Sequence, residues 1–276
     1  MIQKQDRGYF FSRDLPKVMA VVNITPDSFF EGDRFLGSDN IVEHCGKIID
    51  EGADIIDIGA FSSRSNCDVI SGDEEKERLL PVLKKIRATF PDVAISIDTF
   101  RKNIAECAIG EGADIINDIS GGTFDGEMIP FIGKNEIPFV MMHVGSSIED
   151  LHKTTVKGNI TSVVKDFFEG QLQKIYDYGN PPVILDPGIG FNKSMNNNFT
   201  LLSKIDEYRI NDLPVLVGIS RKSIIYKTLR ITPEESLNGT TVLNTAAVLS
   251  GADILRVHDV REAVETIKLT TKIKKI

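Results

Sequence analysis

One short sequence pattern recurs three times along this chain. It reads EGADIID at residues 51–57, EGADIIND at 111–118 and SGADILRVHD at 250–259. In each copy a glycine (Gly52, Gly112 or Gly251) follows a helix-like segment, and helices commonly end at a left-handed glycine. The Ala-Asp pair then leads into a short apolar run that is typical of a buried parallel strand. Each copy is therefore predicted to be a joint between a helix and a strand.

Five other apolar runs have the same character, and with the three repeats they make eight predicted strands. They lie at residues 18–23, 94–98, 138–143, 182–186 and 214–218. Helix-like segments lie between most of the strands, at residues 74–89, 100–111, 126–135, 161–178, 197–205, 221–229 and 236–250. This alternation predicts an α/β fold, a single-domain (β/α)8 TIM-type barrel. An open doubly wound sheet is the alternative, although no G-x-G-x-x-G follows the first strand.

The length and composition suit one such domain. Of the 276 residues 41% are hydrophobic and 26% are charged, which is enough apolar material for a large core. We expect the domain to span residues 1–276, with residues 1–17 as an N-terminal extension that caps the bottom of the barrel. The net charge of −8 argues against nucleic acid or an anionic membrane as a partner.

Cysteine usage and the N-terminus predict the compartment. The three cysteines, Cys45, Cys67 and Cys107, have no CxxC spacing, and an odd number of scattered cysteines is typical of reduced thiols. The N-terminal segment lacks the apolar core of a signal peptide. No run approaches the ~18 apolar residues of a membrane span. We therefore expect a cytoplasmic protein.

Nearly every predicted strand carries a polar group at its carboxyl end. These ends read Asn23, Asp57 to Gly59, Asp98, Asn117-Asp118, His143, Asp186, Gly218 to Ser220, and Arg256 to His258. In a closed barrel of parallel strands all eight carboxyl ends meet at one rim, where the following loops form the catalytic mouth. One or two such residues are ordinary turn formers, but eight at the same end indicate a functional site.

Three of these groups, Asp98, Asn117 and Asp186, lie on central strands and make hydrogen bonds without adding bulk. A carboxylate accepts two parallel N–H groups, so this set suits a cyclic amide or a guanidine-like heterocycle. Asp98 and Asp118 each have a structural alternative, which is to cap the loop that follows the strand.

A second set of candidate residues is cationic. It comprises Arg64, Arg221, Lys222, Arg256 and His258. The segment GISRKSII at residues 218–225 is predicted as strand, turn and helix start, with Ser220 as the N-cap. A helix start offers free backbone N–H groups and positive potential, and it therefore favours an anion. For Arg221, which is adjacent to Lys222, the alternative is a side chain that points outward to solvent.

Three polar segments, at residues 25–40, 60–75 and 142–159, are predicted mouth loops, and the first is long enough to close as a lid. No HExxH or Cys/His cluster predicts a protein-only metal cage. Magnesium, if present, would therefore arrive with substrate phosphates and contact one or two protein oxygens, for which Asn23 is well placed. The residues alone thus indicate a barrel transferase that binds a polar heterocycle and a phosphate-bearing or carboxylate partner.

Six motifs then stand in the order found in a known family. They are NITPDSF (23–29), IDT (97–99), IIND (115–118), LDPGIGF (185–191), GISRKS (218–223) and RVHDV (256–260). From about residue 18 to 270 the chain resembles the dihydropteroate synthases of folate biosynthesis. The resemblance implies condensation of 6-hydroxymethyl-7,8-dihydropterin diphosphate with 4-aminobenzoate to 7,8-dihydropteroate and diphosphate, by dissociative, SN1-like C–O cleavage. It also implies Mg²⁺ and a homodimer formed through late helices such as 236–250.

The resemblance further implies a role for individual residues. Asp98, Asn117 and Asp186 would hold the pterin, with Lys222 beside its carbonyl and ring nitrogen. Arg256, His258 and Asn23 would hold the diphosphate, Asn23 through magnesium. The aminobenzoate pocket would include Ser63, Arg64, Phe191 and Ser223, and the closing loop would include Thr25 and Asp27. Met141 and Gly218 complete the predicted substrate-binding residues.

The second mouth loop departs from the family pattern. It reads GAFSSRSN at residues 59–66, with Ser65 and Asn66 where the family has proline and glycine. Two alternatives follow. One is a pterin barrel that transfers a methyl group from methyltetrahydrofolate to a corrinoid protein, which has no need for Lys222, Arg256 and His258 at a diphosphate. The other is a non-catalytic pterin-binding paralogue.

Overall fold

Strands and helices alternate along the chain in this computed structural model, which describes residues 15–24, 38–60, 70–151 and 156–274. The strands are β1 (Lys17–Asn23), β2 (Ile55–Gly59), β3 (Ala94–Asp98), β4 (Ile115–Asp118), β5 (Phe139–Met142), β6 (Val183–Asp186), β7 (Leu216–Val217) and β8 (Ile254–Val257). The helices are α1 (Ser38–Asp50), α2 (Gly72–Thr89), α3 (Lys102–Gly110), α4 (Met128–Asn135), α5 (Ile160–Tyr176), α6 (Met195–Ser203), α7 (Ile205–Tyr208), α8 (Ser223–Leu229), α9 (Leu237–Leu249) and α10 (Val260–Lys274). Short 3-10 turns lie at Ile148–Asp150 and Glu234–Ser236.

All strand pairs are parallel, in the order β6-β5-β4-β3-β2-β1-β8-β7. The two ends of this order meet, because a parallel bridge joins Leu185 of β6 to Val215, directly before β7. The amide of Leu185 also donates to the carbonyl of Pro214 at 2.9 Å. The predicted (β/α)8 barrel is therefore confirmed, and the open doubly wound sheet is excluded.

The lower end of the barrel interior is filled by one apolar residue from each strand. These residues are Met19, Ile55, Ala94, Ile115, Val140, Ile184, Leu216 and Ile254. Side chains alternate along a strand, so residues two and four positions further on also point inward, nearer the mouth. The intervening residues, such as Ile56, Ile97 and Met141, pack outward in the layer between barrel and helices. This parity decides which strand-end residues line the mouth.

The three sequence repeats form three similar joints, as predicted. Gly52, Gly112 and Gly251 have φ values of 106°, 98° and 107°, a backbone conformation that residues other than glycine rarely adopt. In each copy the alanine after the glycine donates its amide to the carbonyl five residues earlier, for example Ala53 to Ile48 at 3.0 Å. This bond closes the helix end and turns the chain into the next strand.

The aspartate of each repeat then binds the neighbouring strand. The aspartate amide donates to the carbonyl of one residue there at 2.8 to 2.9 Å. The aspartate carboxylate accepts the amide of that same partner residue at 2.8 to 3.0 Å. The partner is Val18 for Asp54, Ile95 for Asp114 and Val215 for Asp253. The repeats therefore fix how β2, β4 and β8 sit against β1, β3 and β7 at the bottom of the barrel.

The predicted helix bounds agree with the structure to within a few residues, with one exception in the number of helices. The segment predicted as one helix at residues 197–205 forms two, α6 and α7. The helix predicted at 221–229 begins only at Ser223. Most of the predicted extension at residues 1–17 lies outside the described residues. In the part of the chain that the structure describes, every helix is too short or too polar to cross a membrane.

Candidate active site

A single guanidinium joins two strand-end carboxylates at the mouth of the barrel. Arg256 of β8 donates from Nε to Asp57 of β2 at 2.7 Å and from Nη2 to Asp98 of β3 at 2.8 Å. Asn117 of β4 donates to the same oxygen of Asp57 at 3.0 Å. The Asp57 side chain is fully buried, whereas 24% of the Asp98 side chain is exposed. Four strands thus contribute to one connected network of polar side chains.

The network differs from the two separate sets expected from the sequence, because Arg256 lies among the carboxylates. Burial raises the pKa of Asp98 to about 7; Arg256 opposes this shift and Asp57 adds to it. Burial alone would lower the pKa of Arg256, but Asp57 and Asp98 outweigh it and raise that pKa. Two carboxylates share one guanidinium, so repulsion from Asp57 adds to the effect of burial on the pKa of Asp98.

Asp186 at the end of β6 and Lys222 before α8 form the second charged part of the mouth. The ammonium of Lys222 donates to the carbonyl of Ile189 at 2.8 Å and lies 4.8 Å from the centroid of the Phe191 ring. Burial raises the pKa of Asp186, and Lys222 opposes that shift. Burial lowers the pKa of Lys222 to about 8, and Asp186 opposes it. Each group therefore helps to keep the other charged.

The loop after β6, residues 187–193, runs very close to its neighbours because it contains two glycines. A Cβ on Gly188, whose φ is 65°, would lie 2.1 Å from the carbonyl oxygen of His143. A Cβ on Gly190, whose φ is 92°, would lie 3.2 Å from Cδ of Lys222. The amide of Gly188 donates to Asp186 at 2.7 Å. Side chains larger than hydrogen at these positions would push the β6 loop out of the mouth.

The segment after β7 follows a different path from the one predicted. Helix α8 begins at Ser223, Lys222 takes the cap position, and no side chain caps the helix. Ser220 instead accepts the amide of His258 at 3.2 Å and lies 3.1 Å from its Nδ1. The prediction of Ser220 as an N-cap is therefore wrong, because this serine orients a histidine on the neighbouring strand end.

Arg221 does not join the cations of the mouth. Its φ of 56° is left-handed, so its side chain diverges from those of its two neighbours. The guanidinium makes two hydrogen bonds to Asp259, at 3.0 and 2.7 Å, and a third to the carbonyl of Glu234 at 3.1 Å. The Arg221 side chain therefore points away from the mouth, as in the outward alternative, and not into the cationic set.

Strand parity also separates residues that are adjacent in sequence. Met141 packs in the outward layer, whereas Met142 packs with Phe191 at the mouth. The substrate-facing position predicted for Met141 is thus occupied by its neighbour. Asp118 points outward as well, and accepts the amides of Ser120 and Gly122 at 2.7 and 2.9 Å. A loop-capping role was the alternative for both Asp98 and Asp118, and the structure gives that role to Asp118.

The other predicted site residues fall into two groups. Asn23 ends β1 on the inward parity and is half-buried, Ser223 opens α8, and His258 is exposed at the rim. A Cβ on Gly218 would lie 3.7 Å from both Arg256 Cβ and Lys222 Nζ, so this glycine sits between two cations. The remaining four, Thr25, Asp27, Ser63 and Arg64, lie outside the described residues, as do Ser65 and Asn66.

Two residues with a place in the site were not selected from the sequence. Asp57 was recognised only as a strand end, although its position, two residues after the inward Ile55, shows that it faces the barrel axis. Lys193 donates to the carbonyls of Gly188, Phe191 and His143 at 2.8, 3.1 and 3.2 Å. Its partners are backbone atoms, so no sequence signal identifies them.

The fold and the site define a class: a barrel enzyme with hydrogen-bonding carboxylates and half-buried cations at one mouth. The pattern of the pterin binding enzyme family matches residues 19–258. The dihydropteroate synthase of Synechocystis sp. is 38% identical over 255 residues, covering 91% of this chain and 88% of that protein. The chain belongs to the dihydropteroate synthase family and is a transferase.

Solved structures agree with this assignment. A dihydropteroate synthase from Clostridium difficile, crystallised in the presence of pteroic acid, has a TM-score of 0.88 and 34% identity, covering 95% of this chain and 98% of that one. The Xanthomonas albilineans enzyme with 4-aminobenzoic acid has a TM-score of 0.88 and 30% identity, covering 96% and 95%. The similarity therefore extends over the whole barrel.

Proposed function

We propose that this chain condenses 6-hydroxymethyl-7,8-dihydropterin diphosphate with 4-aminobenzoate, giving 7,8-dihydropteroate and diphosphate. The observation that carries the proposal is the placement of Asp98, Asn117 and Asp186 in the same mouth as Lys222 and Arg256. Acceptors for a heterocycle thus lie beside cations for a leaving group. The similar Clostridium difficile and Xanthomonas albilineans enzymes were crystallised with pteroic acid and with 4-aminobenzoic acid, respectively.

The pterin would bind deep in the mouth. Asp186 and Asn117 are buried, and their short side chains offer acceptors and a donor for the amide and amino groups of the ring. Arg256 bridges Asp57 and Asp98 in the free protein. A pterin N–H that bonds to Asp98 would take over part of that role and release one arm of the guanidinium toward the diphosphate.

The diphosphate would leave toward Arg256 and His258. The bond between the pterin methylene carbon and the diphosphate oxygen breaks first, and its electron pair departs with the diphosphate. Positioned cations stabilise that developing charge, and the loss of one such donor commonly costs about 10²- to 10³-fold in rate. Ser220 holds Nδ1 of His258 at 3.1 Å, which leaves Nε2 to face the leaving group.

The neutral amine of 4-aminobenzoate would then attack the methylene carbon and lose its extra proton to solvent or diphosphate. An arylamine is unprotonated at neutral pH, so the step needs no strong base. Phe191 lies at the mouth against the apolar cluster that contains Met142 and would flank the aromatic ring. The family resemblance assigns Ser63, Arg64, Ser223, Thr25 and Asp27 to this pocket and its closure.

Magnesium would come with the substrate. Among the described residues no group of three or more His, Cys, Asp or Glu side chains could hold a metal ion. Asn23 offers one amide oxygen at the mouth, and the buried Oδ1 of Asp57 has no partner in the described parts of the chain. One or two such oxygens plus phosphates suit Mg²⁺, which would neutralise charge on the diphosphate.

Diphosphate release tests the proposed reaction. Diphosphate should form only when the pterin diphosphate, 4-aminobenzoate and Mg²⁺ are all present, and each omission should abolish it. The surface variant Lys204→Met, on an exposed side chain that pairs with Glu207, should retain the rate of the unmodified chain. Pterin diphosphate binding without turnover would favour the non-catalytic alternative. Absence of both would refute a pterin diphosphate as substrate.

A homodimer is the assembly we propose. Helices α8, α9 and α10 expose large apolar side chains, namely Leu229, Val242, Leu249, Leu269 and Ile273. Exposed apolar residues on neighbouring elements are typical of an interface with another protein. Sedimentation velocity should give twice the mass of one chain, and the double variant Val242→Lys and Leu269→Lys should give one. A monomeric parent protein would contradict this assembly.

A further inference from the structure

The ammonium of Lys193 is surrounded by backbone carbonyls at the edge of the mouth. It donates to Gly188 at 2.8 Å, to Phe191 at 3.1 Å and to His143 at 3.2 Å. An ammonium has three N–H groups, so all of them are used. Burial lowers the pKa of Lys193, and the nearby carboxylate of Asp186 opposes that shift. The three carbonyls and Asp186 therefore favour the charged form of an amine that burial alone would make easier to deprotonate.

These carbonyls belong to two different strand exits. Gly188 and Phe191 lie in the β6 loop, and His143 directly follows β5. Asn192 adds a second link between the same two regions: its side chain donates to the carbonyl of Asp150 at 2.6 Å, and its carbonyl accepts the amide of Val156 at 2.6 Å. The β6 loop is thus held against the chain that leaves β5.

The β6 loop in turn sets three parts of the site. Its Gly188 amide donates to Asp186, its Ile189 carbonyl accepts from Lys222, and its Phe191 ring lies under the Lys222 ammonium. Without a cation at position 193, three carbonyl groups would point the negative ends of their dipoles toward one another. Such dipoles repel, and the loop would relax away from His143.

We propose that Lys193 is a positioning residue for the transfer reaction: its ammonium is an internal cation that shapes the β6 loop and so places Phe191 beside the second substrate. The kinetic part of this inference rests on the proposed function. The pterin anchors Asp186 and Asn117 belong to strands of the barrel and do not depend on the loop for their backbone position. Lys193 should therefore act on aminobenzoate use more than on pterin binding.

Lys193→Met, which keeps the length and apolar stem of the side chain, tests that division. We expect the KM for 4-aminobenzoate to rise at least tenfold, while the Kd for hydroxymethyl-pterin, measured by calorimetry, changes less than threefold. The control Lys204→Met should change neither value. Equal weakening of both ligands would show a general loss of structure, and unchanged values would show no role; either result overturns the inference.

Chemical rescue tests whether a hydrogen-bonding cation is what the site requires. In Lys193→Ala, n-propylamine supplies the missing chain and ammonium, and we expect it to restore at least a third of the lost kcat/KM. Tetramethylammonium carries the same charge but has no N–H to donate, so it should restore nothing. Equal effects of the two cations, or no effect of either, would contradict the proposed carbonyl site.

Hydrogen exchange separates this inference from the proposed function. In Lys193→Met the amides of Phe191 and Val156, bonded to Gly188 and Asn192, should exchange at least tenfold faster, whereas amides of β6 should be unchanged. If the parent protein fails to turn over the two substrates, the proposed function fails and this measurement still decides the role of Lys193. Unaltered exchange at both amides would refute loop positioning.

Discussion

The three repeated aspartates provide a graded test of how the barrel bottom is held together. Asp54, Asp114 and Asp253 each accept one backbone amide of a neighbouring strand, but they differ in their charged partners. Asp253 pairs with Arg209 at 2.7 Å and Asp114 with Arg87 at 2.5 Å. Replacing each aspartate separately by alanine should therefore destabilise the fold by different amounts.

The expected costs follow from burial. The side chains of Arg209 and Asp253 are only 7% and 9% exposed, and removal of one partner from a buried ion pair costs about 3–5 kcal/mol. Arg87 and Asp114 are 15% and 13% exposed, and Arg87 keeps three carbonyl acceptors where Arg209 keeps two, so a smaller cost of about 2–3 kcal/mol is expected. Replacing Asp54 leaves the amide of Val18 without this acceptor, which corresponds to about 1–2 kcal/mol.

Urea denaturation with linear extrapolation measures these differences, provided that the m-value stays constant. The surface variant Glu169→Ala, on a carboxylate that lies 3.9 Å from Lys165, serves as a matched control and should show no measurable change. The reasoning would be refuted if Asp54→Ala were the most destabilising of the three. Equal costs for all three would likewise show that the arginine partners contribute nothing.

The functional residues give three further predictions. Asp186→Asn should weaken pterin binding about 30-fold or more in calorimetry, because a buried charged acceptor is lost; unchanged affinity would exclude this anchor. Arg256→Ala should weaken the diphosphate-bearing pterin about tenfold more than the free alcohol, and equal weakening would place the leaving group elsewhere. The kcat/KM should fall above about pH 8, where Lys222 loses its proton; a flat profile to pH 10 would disprove that assignment.

The fold was predictable because its main signals are local. A helix end with glycine, a short apolar strand and a polar strand end recur often enough to predict eight units, and parallel strands in a closed barrel carry all eight ends to one rim. The same argument brings together Asn117, Asp98 and Arg256, which the structure links through hydrogen bonds. Distances in sequence of up to 199 residues are thus bridged by topology alone.

Finer features of the site depended on backbone conformations that the sequence does not reveal. The left-handed φ of Arg221 turns a residue that looks like a member of the cationic set toward Asp259. Side chains alternate along a strand, so Met142 lies at the mouth whereas the adjacent Met141 lies in the outer layer. Lys193 acts on carbonyl oxygens, which every residue possesses, and so its role has no signature in residue type.

The two ends of the barrel use the same residue type for opposite purposes. At the bottom, each repeated aspartate accepts a backbone amide, and two of the three also pair with an arginine. At the mouth, Asp57 and Asp98 share Arg256, and one buried oxygen of Asp57 has no partner among the described residues. An unsatisfied buried acceptor costs about 1–3 kcal/mol. A ligand that donates a hydrogen bond or brings a cation to this oxygen would recover that free energy, so the unpartnered acceptor favours binding.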